Sequence, residues 1–114
     1  MPENQLPCPT GMFRLGGICF EAAESCLPTG ANYLGALYIC QAKGLRLCTF
    51  GEWYLACVNF SSQVQDMTNN PEWVDHVELG PDGGLVGITV GNGGCDVVEE
   101  RSIWFAGGYC HCCL

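Results

Sequence analysis

The residues able to do chemistry crowd toward the C-terminal half. Cys110-His111-Cys112-Cys113 lies at the end, and the oxygen donors Asp75, Asp82, Asp96, Glu99 and Glu100 precede it. Zinc favours thiolate and imidazole ligands, but structural zinc sites draw on Cys pairs a few residues apart, and Cys48 and Cys57 are too widely spaced to form one. Thiol–disulfide exchange needs an exposed, low-pKa Cys-x-x-Cys, which the sequence lacks. The cysteines therefore read as structural bridges. His76 follows Asp75, yet neighbours on a strand face opposite ways, so the pair is no relay. His76 and His111 read as surface or packing residues, and Glu99-Glu100 as a solvated acidic pair. Gly91-Asn92-Gly93-Gly94 lacks the lysine and the following helix of a phosphate loop. Asn59-Phe60-Ser61 is a glycosylation triplet, of consequence only in a eukaryotic host. Calcium needs about six to eight oxygens. The expectation is no cofactor, with calcium on Asp75, Asp82, Asp96, Glu99 and Glu100 as the alternative.

Composition narrows the class. Ten cysteines among 114 residues mark a disulfide scaffold, which belongs in an oxidising compartment. Four basic against twelve acidic residues, a net charge of −8, exclude a nucleic-acid or anionic-membrane surface. No apolar run is long enough for a transmembrane helix, and Met1-Pro2-Glu3-Asn4-Gln5 has neither the basic start nor the apolar stretch of a signal peptide. Oxidised cysteines without an export signal imply either a segment of a longer secreted protein or exit by another route, such as a virus particle; a small, complete protein is expected. Charged residues make up 14% of the chain, against about 25% in typical globular proteins. A surface so poor in charge is weakly protected against association. Part of it is expected to be covered by a partner or by further copies.

The elements that must position these residues follow from pattern. Residues 1–7 are a polar, Pro-containing lead-in, and 8–114 form one domain. Met12 to Leu15 and Ile18 to Phe20 flank Gly16-Gly17, a hairpin turn bracketed by Cys8 and Cys19. Residues 21–30 are a loop containing Pro28. From Ala31 to Lys43, Tyr33, Leu34, Leu37, Tyr38 and Ala42 recur at helical spacing, Cys40 lies on the same side, and Gly44 sits where a glycine ends a helix. Thr49-Phe50-Gly51-Glu52 is a capping box opening a second helix to about Val58, with Trp53 and Cys57 one turn apart. Trp53 and Trp73 read as core anchors. Residues 59–71 are expected to be a loop. Strands are predicted at Glu72–Val77, Leu85–Val90, Ile103–Phe105 and Tyr109–Cys113, separated by glycine-rich turns. Early helices and late strands, joined by the opening hairpin in one sheet, make an α+β layout.

Taken in order, Cys8-Pro-x-Gly11, Cys19, Cys40, Gly44-Leu-Arg-Leu-Cys-Thr-x-x-Glu-Trp-x-x-x-Cys57, Glu72-Trp73-Val74, Gly93-Gly94-Cys95 and Cys112-Cys113 resemble the C-type lectin-like fold. The resemblance is to the branch related to the formylglycine-generating enzyme and sulfatase-modifying factors, in its small cysteine-rich versions from bacterial and phage surfaces. It covers roughly residues 8–113.

Spacing alone leaves hundreds of complete pairings open. The resemblance implies Cys8–Cys19 and Cys57–Cys95, and joins Cys40 and Cys48 to the terminal pair. Alternation along a strand puts Cys110 and Cys112 on one face and Cys113 on the other. The assignment adopted is Cys40–Cys113 and Cys48–Cys112, with the exchange of Cys112 and Cys113 open. Cys26 and Cys110 lie outside the family pattern and form the remaining bridge. The catalytic relatives use a reactive cysteine pair in a late glycine-rich segment; here only Cys95 stands there, so no enzyme is expected. The Glu-Pro-Asn, Gln-Pro-Asp and Trp-Asn-Asp calcium tripeptides of sugar-binding relatives are missing too. The resemblance thus implies a non-catalytic recognition or adhesion domain on a virion or cell surface. Loops 59–71 and 78–102 would bind a host saccharide or protein through Asp82, Asn92, Asp96, Glu99, Arg101 and Trp104. The rival expectation is a structural decoration, fibre or tail subunit that binds other subunits in an oligomeric assembly.

Overall fold

The structure, a computed structural model, describes residues 7–26, 29–60, 62, 64 and 67–114. The lead-in expected at 1–7 lies outside them except for Pro7, as do Pro28 and Ser61. The architecture is α+β, with two helices and two antiparallel sheets among the described residues.

The opening hairpin forms as its glycine pair dictates. β1 (Met12–Leu15) and β2 (Ile18–Glu21) pair directly, with Gly16 at φ +62° in the turn. They join two short strands, β3 (Arg46–Leu47) and β7 (Cys112–Cys113), in the order β1-β2-β7-β3. A separate sheet holds β4 (Asn69–Leu79), β5 (Leu85–Asn92) and β6 (Val98–Ser102). The single sheet expected from the sequence is therefore two. The strand predicted at Ile103–Phe105 lies one step early instead, at Val98–Ser102. This segment, Val-Glu-Glu-Arg-Ser, has no apolar alternation, and pairing with β5 makes it a strand. Of Tyr109–Cys113, only the last two residues form a strand, while Tyr109 and Cys110 make isolated bridges to Glu72 and Ser25.

Helix α1 (Tyr33–Ala42) is capped by Asn32, whose side chain accepts from the Gly35 amide at 2.7 Å, and it ends at Lys43 and Gly44, the latter at φ +75°. Its buried stripe is Tyr33, Ala36 and Cys40, whereas Leu34 and Tyr38 face solvent. Apolar residues surround this helix, so its rotation is set by tertiary contacts: the Cys40 bridge, and the Tyr33 ring set edge-on to Trp73. Helix α2 (Phe50–Phe60) starts at the predicted capping box. Thr49 N donates to Glu52 Oε1 at 2.8 Å, and Glu52 N donates to Thr49 Oγ1 at 3.2 Å. Arg46 adds a bidentate ion pair to Glu52, which lowers the Glu52 pKa and raises that of Arg46.

Two apolar clusters lie on opposite faces of the β3–β7 pair. Trp53, Ala56 and Cys57 of α2 pack with Phe20, Cys48, Val74, Val90 and Cys113. Tyr33, Ala36 and Cys40 of α1 pack with Leu47, Trp73, Cys110 and Cys112. Both tryptophans read as core anchors, Trp53 and Trp73, are buried.

Every cysteine is paired. Cys8–Cys19, Cys26–Cys110 and Cys57–Cys95 form as expected. The terminal pair is exchanged relative to the adopted assignment: the bridges are Cys40–Cys112 and Cys48–Cys113. Register decides this. Leu47 stands opposite Cys112 and Arg46 opposite Cys113, so Cys112 shares the α1 face with Leu47. Cys48, one residue past Leu47, turns to the α2 face, where Cys113 lies.

Candidate functional site

The β4–β5 hairpin extends as a ribbon beyond the body. The molecule measures 49 × 27 × 25 Å, and residues 75–79 and 81–85 are all exposed. Between the pairs Val74–Ile88 and Val77–Gly87, Asp75 and His76 form a bulge. The ribbon is fixed to the body there: Asp75 N donates to the Cys48 carbonyl at 3.0 Å, and Tyr33 Oη donates to Asp75 Oδ1 at 3.0 Å. Burial, then the Asp75 hydrogen bond and charge, push the Tyr33 hydroxyl up to about 12. Beyond the bulge, Leu79 and Leu85 face each other across the ribbon, 72% and 50% exposed. The turn is closed by Gly83 N donating to the Gly80 carbonyl, and Asp82 Oδ1 accepts from Gly84 N.

This geometry separates the six residues proposed for ligand binding. Asp82 sits in the turn between β4 and β5; Asn92 and Asp96 stand at the opposite end of β5, roughly 23 Å away at a strand's rise per residue. Glu99 and Arg101, two apart on β6, share a face. Arg101 Nη2 donates to Glu99 Oε1 at 3.0 Å, its Nε donates to Thr89 Oγ1 at 3.2 Å, and its guanidinium lies 4.5 Å from the Phe105 ring centre. Trp104 follows β6 in a turn, 66% exposed. Glu99, Arg101 and Trp104 are therefore neighbours along β6 and its turn, and Asp82 is not with them.

The segment 78–102 is mostly paired strand, and what remains as loop is 80–84 and 93–97. The loop expected at 59–71 shrinks likewise, because α2 runs to Phe60 and β4 starts at Asn69. Nor do the calcium candidates converge. Asp75 is engaged by Tyr33, Asp82 by its own turn, and Glu99 by Arg101, while Glu100 points to the other face of β6.

A second polar group was not legible in the sequence. Glu21, Glu24, Ser25, Glu72 and His111 are all buried. Glu21 at the end of β2 accepts from the Cys112 amide at 2.7 Å, from Ser25 Oγ at 2.9 Å and from Lys43 Nζ at 2.9 Å; Lys43 also contacts Ser25 Oγ. Asn70 Nδ2 donates to both oxygens of Glu24, at 3.1 and 3.2 Å. Glu72 Oε1 and His111 Nδ1 are 2.5 Å apart, their residues 0% and 1% exposed, and the imidazole stacks on Phe20. Burial pushes the His111 pKa down, but the Glu72 charge and hydrogen bond, with Glu24 and Glu21 behind them, outweigh it and hold the pKa above the ordinary value.

His111 is thus a packing residue, as expected, but an ion-paired one. His111 stands just before β7, and its partners come from β2, the segment after it and β4, far away in sequence. The one sequence signal was a glutamate leading the Glu-Trp-Val strand and a histidine enclosed by cysteines, both where burial is expected.

Among the described residues, three clusters bring metal-ligand atoms together. Cys40, Cys110 and Cys112 form one; Cys48, Glu52 and Cys113 form another. All five sulfurs are in disulfides, so neither offers a thiolate. The third is Glu24, Glu72 and His111. No helix among the described residues is long and apolar enough to cross a membrane. Comparison with protein-family models and with curated proteins found no match.

Proposed function

We propose that this chain is a disulfide-braced, non-catalytic recognition domain of the C-type lectin-like fold, carried on a virion or other extracellular surface. It binds a host saccharide or protein through the β4–β5–β6 sheet. The five bridges suit an oxidising setting. The observation that carries the reading is the asymmetry of the molecule: a cross-linked body supports a sheet whose far end and β6 turn present Leu79, Leu85 and Trp104 to solvent, beside the fixed Arg101–Glu99 pair. Recognition surfaces combine a rigid base with exposed aromatic and polar contacts. Cys95, the one cysteine in the late glycine-rich segment, is bonded to Cys57 and offers no thiol, which supports a non-catalytic role.

The second reading, a structural subunit that binds its neighbours, is favoured by the Leu79–Leu85 pair, because apolar side chains so exposed at a ribbon end suit burial in an assembly. A glycan-array and host-surface binding assay with the oxidised chain, with and without calcium, tests the first reading. Calcium-independent binding that is weakened by Trp104→Ala is expected. No binding by a correctly bridged chain overturns receptor recognition in favour of assembly.

A further inference from the structure

We propose that Glu24, Glu72 and His111 form a binding site for one divalent transition-metal cation of the zinc class, independent of the recognition surface. Three separate segments bring these side chains together, at 5%, 0% and 1% exposure, with one donor atom from each lying within 4.8 Å of the others. Tetrahedral zinc with nitrogen and oxygen ligands at about 2.1 Å sets them about 3.4 Å apart, so side-chain shifts of an ångström or so close the site. His111 Nδ1 and Glu72 Oε1, now 2.5 Å apart, would separate to that distance as the cation replaces the proton between them.

His111 Nε2, on the side of the ring away from Glu72, is buried and has no hydrogen-bond partner among the described residues. One further observation points to a ligand. Asn70 grips both oxygens of Glu24 through its amide nitrogen, as outer partners of metal ligands do, and its Oδ1 is likewise buried with no hydrogen-bond partner among the described residues. Two carboxylates and an imidazole suit zinc better than calcium or magnesium, which demand more oxygens.

The test uses the full oxidised chain carrying His76→Gln, so that His111 is its only imidazole. Zinc is titrated calorimetrically and followed by the imidazole ¹⁵N signals. The expected result is one zinc per chain, reversed by chelator, with the His111 ¹⁵N signals moving to those of a metal-bound neutral ring. Asn70→Ala should weaken zinc by about 10- to 100-fold, and Glu24→Gln should abolish it. Unchanged His111 signals in excess zinc, a response to calcium instead, or undiminished zinc binding by a folded Glu24→Gln chain would overturn the site. If Glu24→Gln does not fold, the ¹⁵N signals of the His76→Gln chain decide alone.

Discussion

Arg46 stands directly opposite Cys113 across the β3–β7 pair, and this register selects which terminal cysteine closes which bridge. Neighbouring cysteines on a strand face opposite ways, so one serves each helix. Cys112 reaches Cys40 on α1, and Cys113 reaches Cys48 beside α2.

The pairing predicts a thiol count. Cys40→Ala with Cys112→Ala removes one whole bridge, and the purified chain should titrate no free thiol. Cys40→Ala with Cys113→Ala removes half of two bridges and should give two free thiols, or a non-native Cys48–Cys112 bond with loss of stability. Because Cys40–Cys112 still joins the same two segments, removing Cys48 and Cys113 together opens a loop of only about ten residues in the unfolded chain and should cost about 2–3 kcal/mol in denaturant unfolding. The opposite thiol pattern would mean that the register is wrong.

Trp73 is held by a close backbone approach. Its Nε1 donates to the Ala31 carbonyl at 2.8 Å, and a Cβ on Gly108 would fall 2.2 Å from that same nitrogen. Gly108→Ala must therefore displace the indole and break the bond, for an expected loss of about 3 kcal/mol from overpacking and an unmet buried donor. Urea unfolding followed by tryptophan fluorescence measures it. A loss under about 1 kcal/mol would contradict this packing.

The buried ion pair sets a pH dependence. The His111 pKa is raised on folding, so in metal-free buffer its contribution is complete below the unfolded value near 6.5 and declines as pH rises through the folded value. Glu52 has the opposite sign: its pKa is lowered, so its contribution holds above about 4.5 and is lost as pH falls through the folded value. Stability measured from pH 3 to 9 should fall on both sides. His111→Gln should flatten the alkaline limb and Glu52→Gln the acid limb. An alkaline limb that survives His111→Gln would assign it to another group.

The ribbon end separates the two functional readings. Leu79→Ser with Leu85→Ser alters exposed side chains and should change stability by no more than about 0.5 kcal/mol. If the ribbon docks into neighbouring subunits, sedimentation should show loss of assembly while host binding by the free chain persists. If it contacts a receptor, binding falls and the oligomeric state stays the same.

The sequence by itself determined the local parts. Gly16-Gly17 made a hairpin, Thr49 and Glu52 started α2, Gly44 ended α1, and the density of cysteine required bridges, because each of these rests on conformational preferences or short-range bonds within a few residues. Three of the five pairings followed as well, with help from the family resemblance. Tertiary structure alone decided the rest. Strand register chose the partners of Cys112 and Cys113, since a shift of one residue exchanges faces. Pairing with β5 turned the charged Val98–Ser102 into a strand and left Ile103–Phe105 outside it. The gathering of Glu24, Glu72 and His111 in one buried cluster is the furthest from the sequence, because no spacing rule relates residues from separate segments until the chain has folded them together.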